Sequence, residues 1–554
     1  MTSRRQILGV LGVAPAIAAL GSAGAYAAAT AAPTGEPAGS GARVRPASII
    51  PVAGGDTPEQ IIAKAVNVVP RKGQLAWQRR EITAFTHFGM NTFTDREWGS
   101  GAEDPATFAT TAVDADQWIR TYKTMGAELA MITAKHHDGF TLFPSRYTPH
   151  SILKSPGQPN VVRKYVDAAR AHGLRVGIYL SPSDGGELPH AWHAEWIESL
   201  RKKQAGGGKL TSVEQTAVDD GDRAPGGLGR FGNGSAVKEH TIPTLMEGDD
   251  RADAVRSGKL PTFTVHVNDY DAYYLNLVYE LFTEYGPLDE FWLDGANPWA
   301  DAGIIQEYRF EEWFRVIGAL SPDTVVFGGP AGARWVGNED GIARETEWSV
   351  VPTTADPRTY HNEWLLPHGA SVDDIGSRAR LTESGVTHLS WFPAEADVSN
   401  RPGWFHHANQ KPKTAAQLFD LYEKSVGRNA SLLLNVPPSK AGTIDAADVA
   451  ELTAFGQRVR KVYGGPVARN ADGTTTFDRV VVREDIEHGQ RVEKFAVEAE
   501  VGGTWRRIAT GTTIGHQRIL PLDAPVTATR VRIKVLAARA EPRLGRTTLH
   551  RVAD

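Results

Sequence analysis

Apolar and polar residues recur along this chain with two different periods, and the switch between them divides it. Over residues 61–463, short β-branched and aromatic runs alternate with stretches whose apolar positions return every three or four residues. The runs predict strands near 82–88, 128–133, 175–180, 288–294, 324–328, 344–349, 387–392 and 431–436. The amphipathic stretches predict helices near 114–125, 161–172, 271–285, 304–320, 372–384, 415–426 and 446–463. Strand–helix alternation implies parallel strands joined by helical crossovers, and eight such strands imply a closed (β/α)8-type barrel. Over 465–554 the pattern becomes strand after strand without helices, as in "FDRVVVREDIEHGQRVEKFAVEAEV", which predicts an antiparallel β-sandwich. The expected fold class is therefore α/β, a (β/α)8-type barrel catalytic domain followed by an antiparallel β-sandwich domain.

Three stretches fall outside this rhythm. Residues 1–27, "MTSRRQILGVLGVAPAIAALGSAGAYA", carry a twin arginine, Arg4 and Arg5, then a short Ala- and Gly-rich apolar run and small residues. That is the form of a twin-arginine export signal, and the run is a poor candidate for a permanent membrane span. Residues 28–60, rich in Pro, Gly and Ala, predict a disordered tether. About 183–262, after the third strand, "AGGGKL" and "GDRAPGGLGRFGNGS" mark an insertion with few apolar runs, projecting from the rim.

Composition narrows the function classes. The 554 residues carry a formal net charge of −5 without blocks of like charge, so no nucleic-acid partner is expected, and no membrane partner once the signal is removed. The absence of cysteine excludes disulfides, thiolate nucleophiles and Cys-ligated metal centres. The 14 tryptophans offer flat apolar faces with a polar handle, suited to sugar rings as well as to cores.

The chemistry gathers where predicted strands end, which is where barrels of this kind place reacting groups. "HFGMNTF" follows the first strand, "AKHHDGF" the second, "SPSD" the third, "DGANPW" the fourth, "RWVGNEDG" the fifth and "PAEADVSNRPGWFHH" the seventh. In "GPLDEFWLDGANPW" an apolar run delivers one carboxylate, Asp294, and breaks at a glycine. Asp before Gly is ordinary turn chemistry, but a turn does not explain polar and ring-bearing residues at every other strand end. Two carboxylates flanking a glycosidic bond suffice for its hydrolysis, one as nucleophile and one as proton donor. Asp294 suits the first role, and Glu339, longer and on the next rim loop beside Trp335, suits the second, its structural alternative being a solvated loop acid. His87, His136 and His137 suit hydroxyl recognition, since imidazole both donates and accepts. A zinc pair on a strand would favour His-x-His over the His-His found here, so no metal is expected. Trp98 and Trp292 are candidates to cover an apolar sugar face.

At this point the motifs "FTHFGMNTFTDREWGSG", "AKHHDGFTLFPSRYT", "VGIYLSP", "EFWLDGANPW", "RWVGNEDG", "SWFPAEADVSNRPGWFHH" and "SVGRNASLLLNVPP" together resemble glycoside hydrolase family 29, the α-L-fucosidases. "RWVGNE" with the "EADVSNRPGWF" loop resembles the subfamily acting on α-1,3/1,4-linked fucose in branched glycans. The resemblance implies a retaining enzyme that needs no cofactor, with Asp294 as nucleophile and Glu339 as acid/base. It implies fucose contacts from His87, Glu97, Trp98, His136, His137 and Tyr179, with Trp292 and Trp335 lining the site and Glu395, Asp397 and Trp404 reaching the next sugar. One departure stands out: the family's "SPWD" reads "SPSD" here, with Ser183 in place of Trp. Two other readings remain, a glycan-binding barrel without catalysis and a metal-dependent barrel hydrolase. A missing carboxylate would mark the first, and loss of activity on chelation the second.

Overall fold

The structure, a computed structural model, describes residues 44–110, 112–187, 191–210, 214–215, 218, 231, 236–294, 307–330 and 332–552. The expected export signal and the first part of the expected tether lie outside the described residues.

Eight parallel strands form the barrel: β1 (Ile82–Thr86), β2 (Leu129–Lys135), β3 (Arg175–Leu180), β4 (Glu290–Trp292), β5 (Val325–Phe327), β6 (Arg334–Trp335), β7 (Ala394–Ser399) and β8 (Ala430–Asn435). They pair in the order β5-β4-β3-β2-β1-β8-β7-β6. A single parallel bridge from Phe327 to Ala333 joins the two ends, so the ring is nearly closed. Every residue of β1, β2, β7 and β8 is buried. One face of each strand meets the surrounding helices and the other fills the barrel, which is why these segments read as near-continuous apolar runs. The helices start where a side chain can satisfy the free N–H groups of the first turn. Asp114 accepts from Gln117 N before Ala115–Met125, Asn160 from Arg163 N before Val161–Ala171, and Asn268 from Asp271 N before Asp269–Tyr285.

Several expectations are corrected. The sixth strand is not 344–349 but the two-residue β6, which follows β5 with no helix between them. The expected seventh strand, near 387–392, exists as His388–Trp391 but lies outside the barrel. It is the middle of an antiparallel sheet between Ile49–Pro51 and Val350–Thr353. The barrel's own seventh strand is Ala394–Ser399, where Glu and Asp in the sequence hid the pattern. The helix expected over 372–384 shrinks to Arg378–Leu381. Part of the expected tether is ordered: Ile49–Pro51 pairs with His388–Trp391, and Thr57 caps a helix over Pro58–Val66 whose Ile61, Ile62 and Ala65 are buried. The insertion contains a helix, Ala191–Ala205, and a hairpin of Lys238–Ile242 with Phe263–Val267. Ile242, Val265 and Val267 bury into the main core, and much of the remainder lies outside the described residues.

After the last helix of the barrel, Ala446–Tyr463, two three-stranded antiparallel sheets pack on a shared core of Phe477, Val480, Val482, Val492, Phe495 and Val497. One sheet orders Arg518–Ala528, Thr475–Val482 and Thr548–His550; the other orders Thr504–Gly511, Val492–Val501 and Arg530–Ala538.

Candidate active site

Why a greasy strand should end on a charge is answered by its period. Phe291 and Leu293 belong to the outer core, packed toward the helices, whereas Trp292 belongs to the separate cluster that fills the barrel. Side chains alternate along a strand, so Glu290, Trp292 and Asp294 stack inside the barrel as floor, middle and rim. Asp294 is the rim member, with its side chain 11% exposed. Tyr179, from β3, donates its phenolic O–H to Asp294 Oδ2 at 3.1 Å, and His137 Nε2 lies 3.4 Å from the same oxygen. The Tyr179 bond restrains the carboxylate's rotation, with His137 Nε2 beside the same oxygen.

The histidines are aimed from behind by polar residues that also end apolar strands. Asn435, the last residue of β8, accepts from His87 N at 3.1 Å and lies 2.9 Å from His87 Nδ1, while its own amide donates to Ser399 Oγ and Trp404 O. Because the Asn435 oxygen can only accept, His87 Nδ1 carries the proton and its Nε2 is left to accept when the ring is neutral. His137 Nδ1 lies 2.6 Å from Ser181 Oγ, whose own proton goes to Ser183 O, so His137 donates there, and its Nε2, turned toward Asp294, donates to that carboxylate only when the ring carries both protons. His136 Nδ1 meets Asn91 Nδ2 at 3.4 Å. Trp98 stacks on His137 with ring centroids 4.0 Å apart.

Glu97 joins two rim loops. It accepts from Trp404 N at 2.8 Å, from Phe405 N at 3.3 Å, and meets His407 Nε2 at 2.7 Å. The Glu97 bond, together with Asp95, holds the His407 imidazolium above its ordinary range. Trp404 in turn lies against His87, centroids 5.1 Å apart. The structure thus brings His87, Glu97, Trp98, His136, His137, Tyr179, Asp294 and Trp404 together at one end of the barrel. Asn435, Ser181, Asn91 and His407 were missed in sequence, although "LLLN" and "IYLS" carry the same signal as "WLD", a polar residue closing an apolar strand.

Glu339 lies four residues past β6, partly exposed, on the same rim two strands around from β4. Its turn is shaped locally: Asn338 Nδ2 donates to Ile342 O at 2.8 Å and Asn338 Oδ1 accepts from Asp340 N at 3.1 Å. Gly337 has φ 103°, and a Cβ there would stand 2.3 Å from Ala370 O, so only glycine fits.

Glu395 is corrected. It is fully buried below the rim, where Trp292 Nε1 donates to its Oε2 at 2.9 Å, and it has no surface to offer a neighbouring sugar. Its partner is Glu290, held in turn by Trp77 Nε1 at 2.9 Å. Burial pushes Glu290 up to about 7, and burial together with the Glu290 charge pushes Glu395 well above the carboxylate range, so this pair keeps a proton. Trp292 and Trp335, 1% and 2% exposed, likewise support the site rather than presenting open faces. Trp292 stacks with Phe327 and Tyr179 at 3.9 and 5.4 Å, and Trp335 Nε1 donates to Asp397 Oδ1 at 2.8 Å. Asp397, which takes that bond, is 2% exposed. Among the described residues no group of three or more His, Asp or Glu is arranged to hold a metal ion.

A parallel barrel whose rim gathers an oriented aspartate, a partly exposed glutamate, imidazoles and indoles has the makings of a glycoside hydrolase. The comparisons with known proteins agree. The family model for alpha-L-fucosidase matches residues 65–464. The putative alpha-L-fucosidase 1 of Oryza sativa subsp. japonica is 33% identical over 524 residues, covering 86% of this chain and 83% of that protein. Alpha-L-fucosidase 1 of Arabidopsis thaliana is 30% identical over 525 residues, covering 86% of each. The crystal structure of a putative alpha-L-fucosidase from Bacteroides ovatus superposes with TM-score 0.72 at 32% identity, covering 92% of this chain and 78% of that one. A family 29 fucosidase from Ruminococcus gnavus, solved in complex with fucose, gives TM-score 0.64 at 26% identity, covering 88% and 95%. The chain belongs to the α-L-fucosidases, glycoside hydrolase family 29.

Proposed function

We propose that the protein is an exo-acting, retaining α-L-fucosidase, exported through its twin-arginine signal, that removes α-1,3/1,4-linked L-fucose from branched glycans. The observation that carries the mechanism is the Tyr179 hydrogen bond on Asp294 Oδ2, with His137 Nε2 beside the same oxygen, which orients the carboxylate at the barrel rim. Asp294 attacks the anomeric carbon while Glu339 protonates the departing glycosidic oxygen, and the C–O bond breaks. Water, deprotonated by Glu339, then attacks the fucosyl-enzyme and restores the configuration. His87, His136, His137, Glu97 and Trp98 bind the fucose, whose apolar face and methyl group suit Trp98 and Trp404. The export and linkage parts rest on sequence motifs: Arg4-Arg5 with "AYA" for the first, and "RWVGNE" with "EADVSNRPGWF" for the second.

The test is direct. Proton NMR during hydrolysis of an aryl α-L-fucoside should show α-L-fucose first, with the β-anomer growing in only by mutarotation; β-L-fucose first would overturn the retaining mechanism. Lewis-type trisaccharides should be cleaved much faster than 2′-fucosyllactose, and the reverse order would remove the linkage assignment.

A further inference from the structure

The β-sandwich carries none of the residues assigned to the reaction, yet its contacts converge on the segment that presents Glu339. Beyond Glu339, the chain over 345–349 is held largely from the sandwich. Gln490 Oε1 accepts from Ser349 N at 2.7 Å and Gln490 Nε2 donates to Glu347 O at 3.1 Å. Thr513 Oγ1 donates to the same Glu347 carbonyl at 3.2 Å. Arg518 Nη1 donates to Glu345 O at 2.8 Å, and the Arg539 guanidinium lies 3.7 Å over the Trp348 ring. Gln490 is fully buried and Thr513 is 2% exposed, so neither bond competes with water.

Glu347, so anchored by its carbonyl, passes the constraint on through its carboxylate. It is fully buried between Arg334, on β6, and Arg344, whose Nη1 donates to Glu347 Oε2 at 3.0 Å and to Val336 O at 2.8 Å. Val336 is three residues before Glu339. The turn carrying Glu339 therefore hangs between Val336 and Arg344, and both ends are tied to a glutamate whose carbonyl takes two bonds from the sandwich and one, at 3.0 Å, from Asn429 of the barrel.

We infer that the sandwich is a positioning element for the acid/base, acting through Gln490 and Thr513 on Glu347 and thence on the 336–344 turn. This rests on Glu339 being the acid/base. A misplaced general acid costs most where the leaving group needs a proton, and nothing where it does not.

The experiment uses the full chain with Gln490→Leu and Thr513→Val combined. The expected result is a roughly tenfold fall in kcat/KM on fucosides with poor leaving groups, with a dinitrophenyl fucoside changed less than about twofold, and a displaced basic limb of the pH profile. Thr513→Ser, which keeps the hydroxyl, should behave as wild type. Equal losses on both substrates, or none on either, overturn the inference. If the double variant does not fold, Thr513→Val alone is read the same way. Glu339→Ala is the reference, expected to lose about 100-fold or more selectively on poor leaving groups. If it is unselective, the acid/base assignment itself fails; if it is selective and the sandwich variants are not, only the positioning role does.

Discussion

The two sides of the barrel rim are built differently. On one side β1, β2 and β3 run for five, seven and six residues beside the three-residue β4, and the functional side chains past the ends of β1, β2 and β4 are held by barrel residues: His87 by Asn435, His137 by Ser181, Asp294 by Tyr179. On the other side β5 and β6 have three and two residues, and the loop that follows them is braced by a buried ion-pair cluster and by another domain. A nucleophile must be rigid to attack in line, while an acid/base must serve two oxygens in succession. The fixed side carries Asp294 and the braced side Glu339.

The largest effect that would break this division is at the carboxylates. Asp294→Gly should lower turnover of an aryl fucoside by roughly 10⁴-fold or more, as loss of a nucleophile does in other covalent mechanisms. Added azide should partly restore it by filling the vacated space, giving the β-fucosyl azide. With Glu339→Ala the same anion should intercept the fucosyl-enzyme and give the α-azide. Identical azide products from the two variants, identified by NMR, would show that the roles have been assigned to the wrong sides.

A smaller effect sharpens the contrast. Tyr179→Phe removes an O–H donated to a carboxylate, worth about 1.5–3 kcal/mol, and so about ten- to a hundredfold in kcat/KM. Because Tyr179 acts on Asp294, the proposed nucleophile, good and poor leaving groups should suffer alike, unlike the sandwich variants. A loss confined to poor leaving groups in steady-state kinetics would connect Tyr179 to the acid instead.

The same division governs how much was legible in the sequence. β1 to β3 and β8 were readable because their residues are buried on both faces, and the helices that follow β1, β2 and β3 carry Asp or Asn caps. β6 was not, because its Arg334 is charged and its buried charge is paired with Glu347, thirteen positions later, a pairing invisible to local pattern. The segment "RETEWS", read as a strand over 344–349, is that partner segment. Asp294 and Glu339 were reachable as carboxylates near strand ends, but Glu395 was misjudged for want of register. Only the pairing of Glu395 with Trp335 on β6, one residue past the start of β7, puts it in the barrel's interior instead of on its rim. Its partner Glu290 lies 105 positions upstream, beyond any motif.

That buried pair yields the smallest expected effect and the cleanest separation of floor from rim. Desolvation raises Glu290 from an ordinary 4.5 to about 7 despite the bonds from Trp77 and Glu395 and the charge of Arg80, and desolvation followed by the Glu290 charge raises Glu395 further. The folded chain then binds more protons than the unfolded chain across that interval. The pair's contribution is complete below about pH 4.5 and is lost as pH rises through about 7. Glu395→Gln keeps an oxygen for Trp292 Nε1, offers an N–H to Glu290 and removes the shared proton. Its melting temperature should match wild type near pH 5 and exceed it by a degree or two near pH 8, the scale of ~1 kcal/mol in a chain this long. Activity at neutral pH should change less than about threefold, since the amide still supports Trp292 beneath Asp294. Parallel melting curves across the pH range would mean that no proton is shared there, and a large loss of activity would mean that the floor and the rim are not separable.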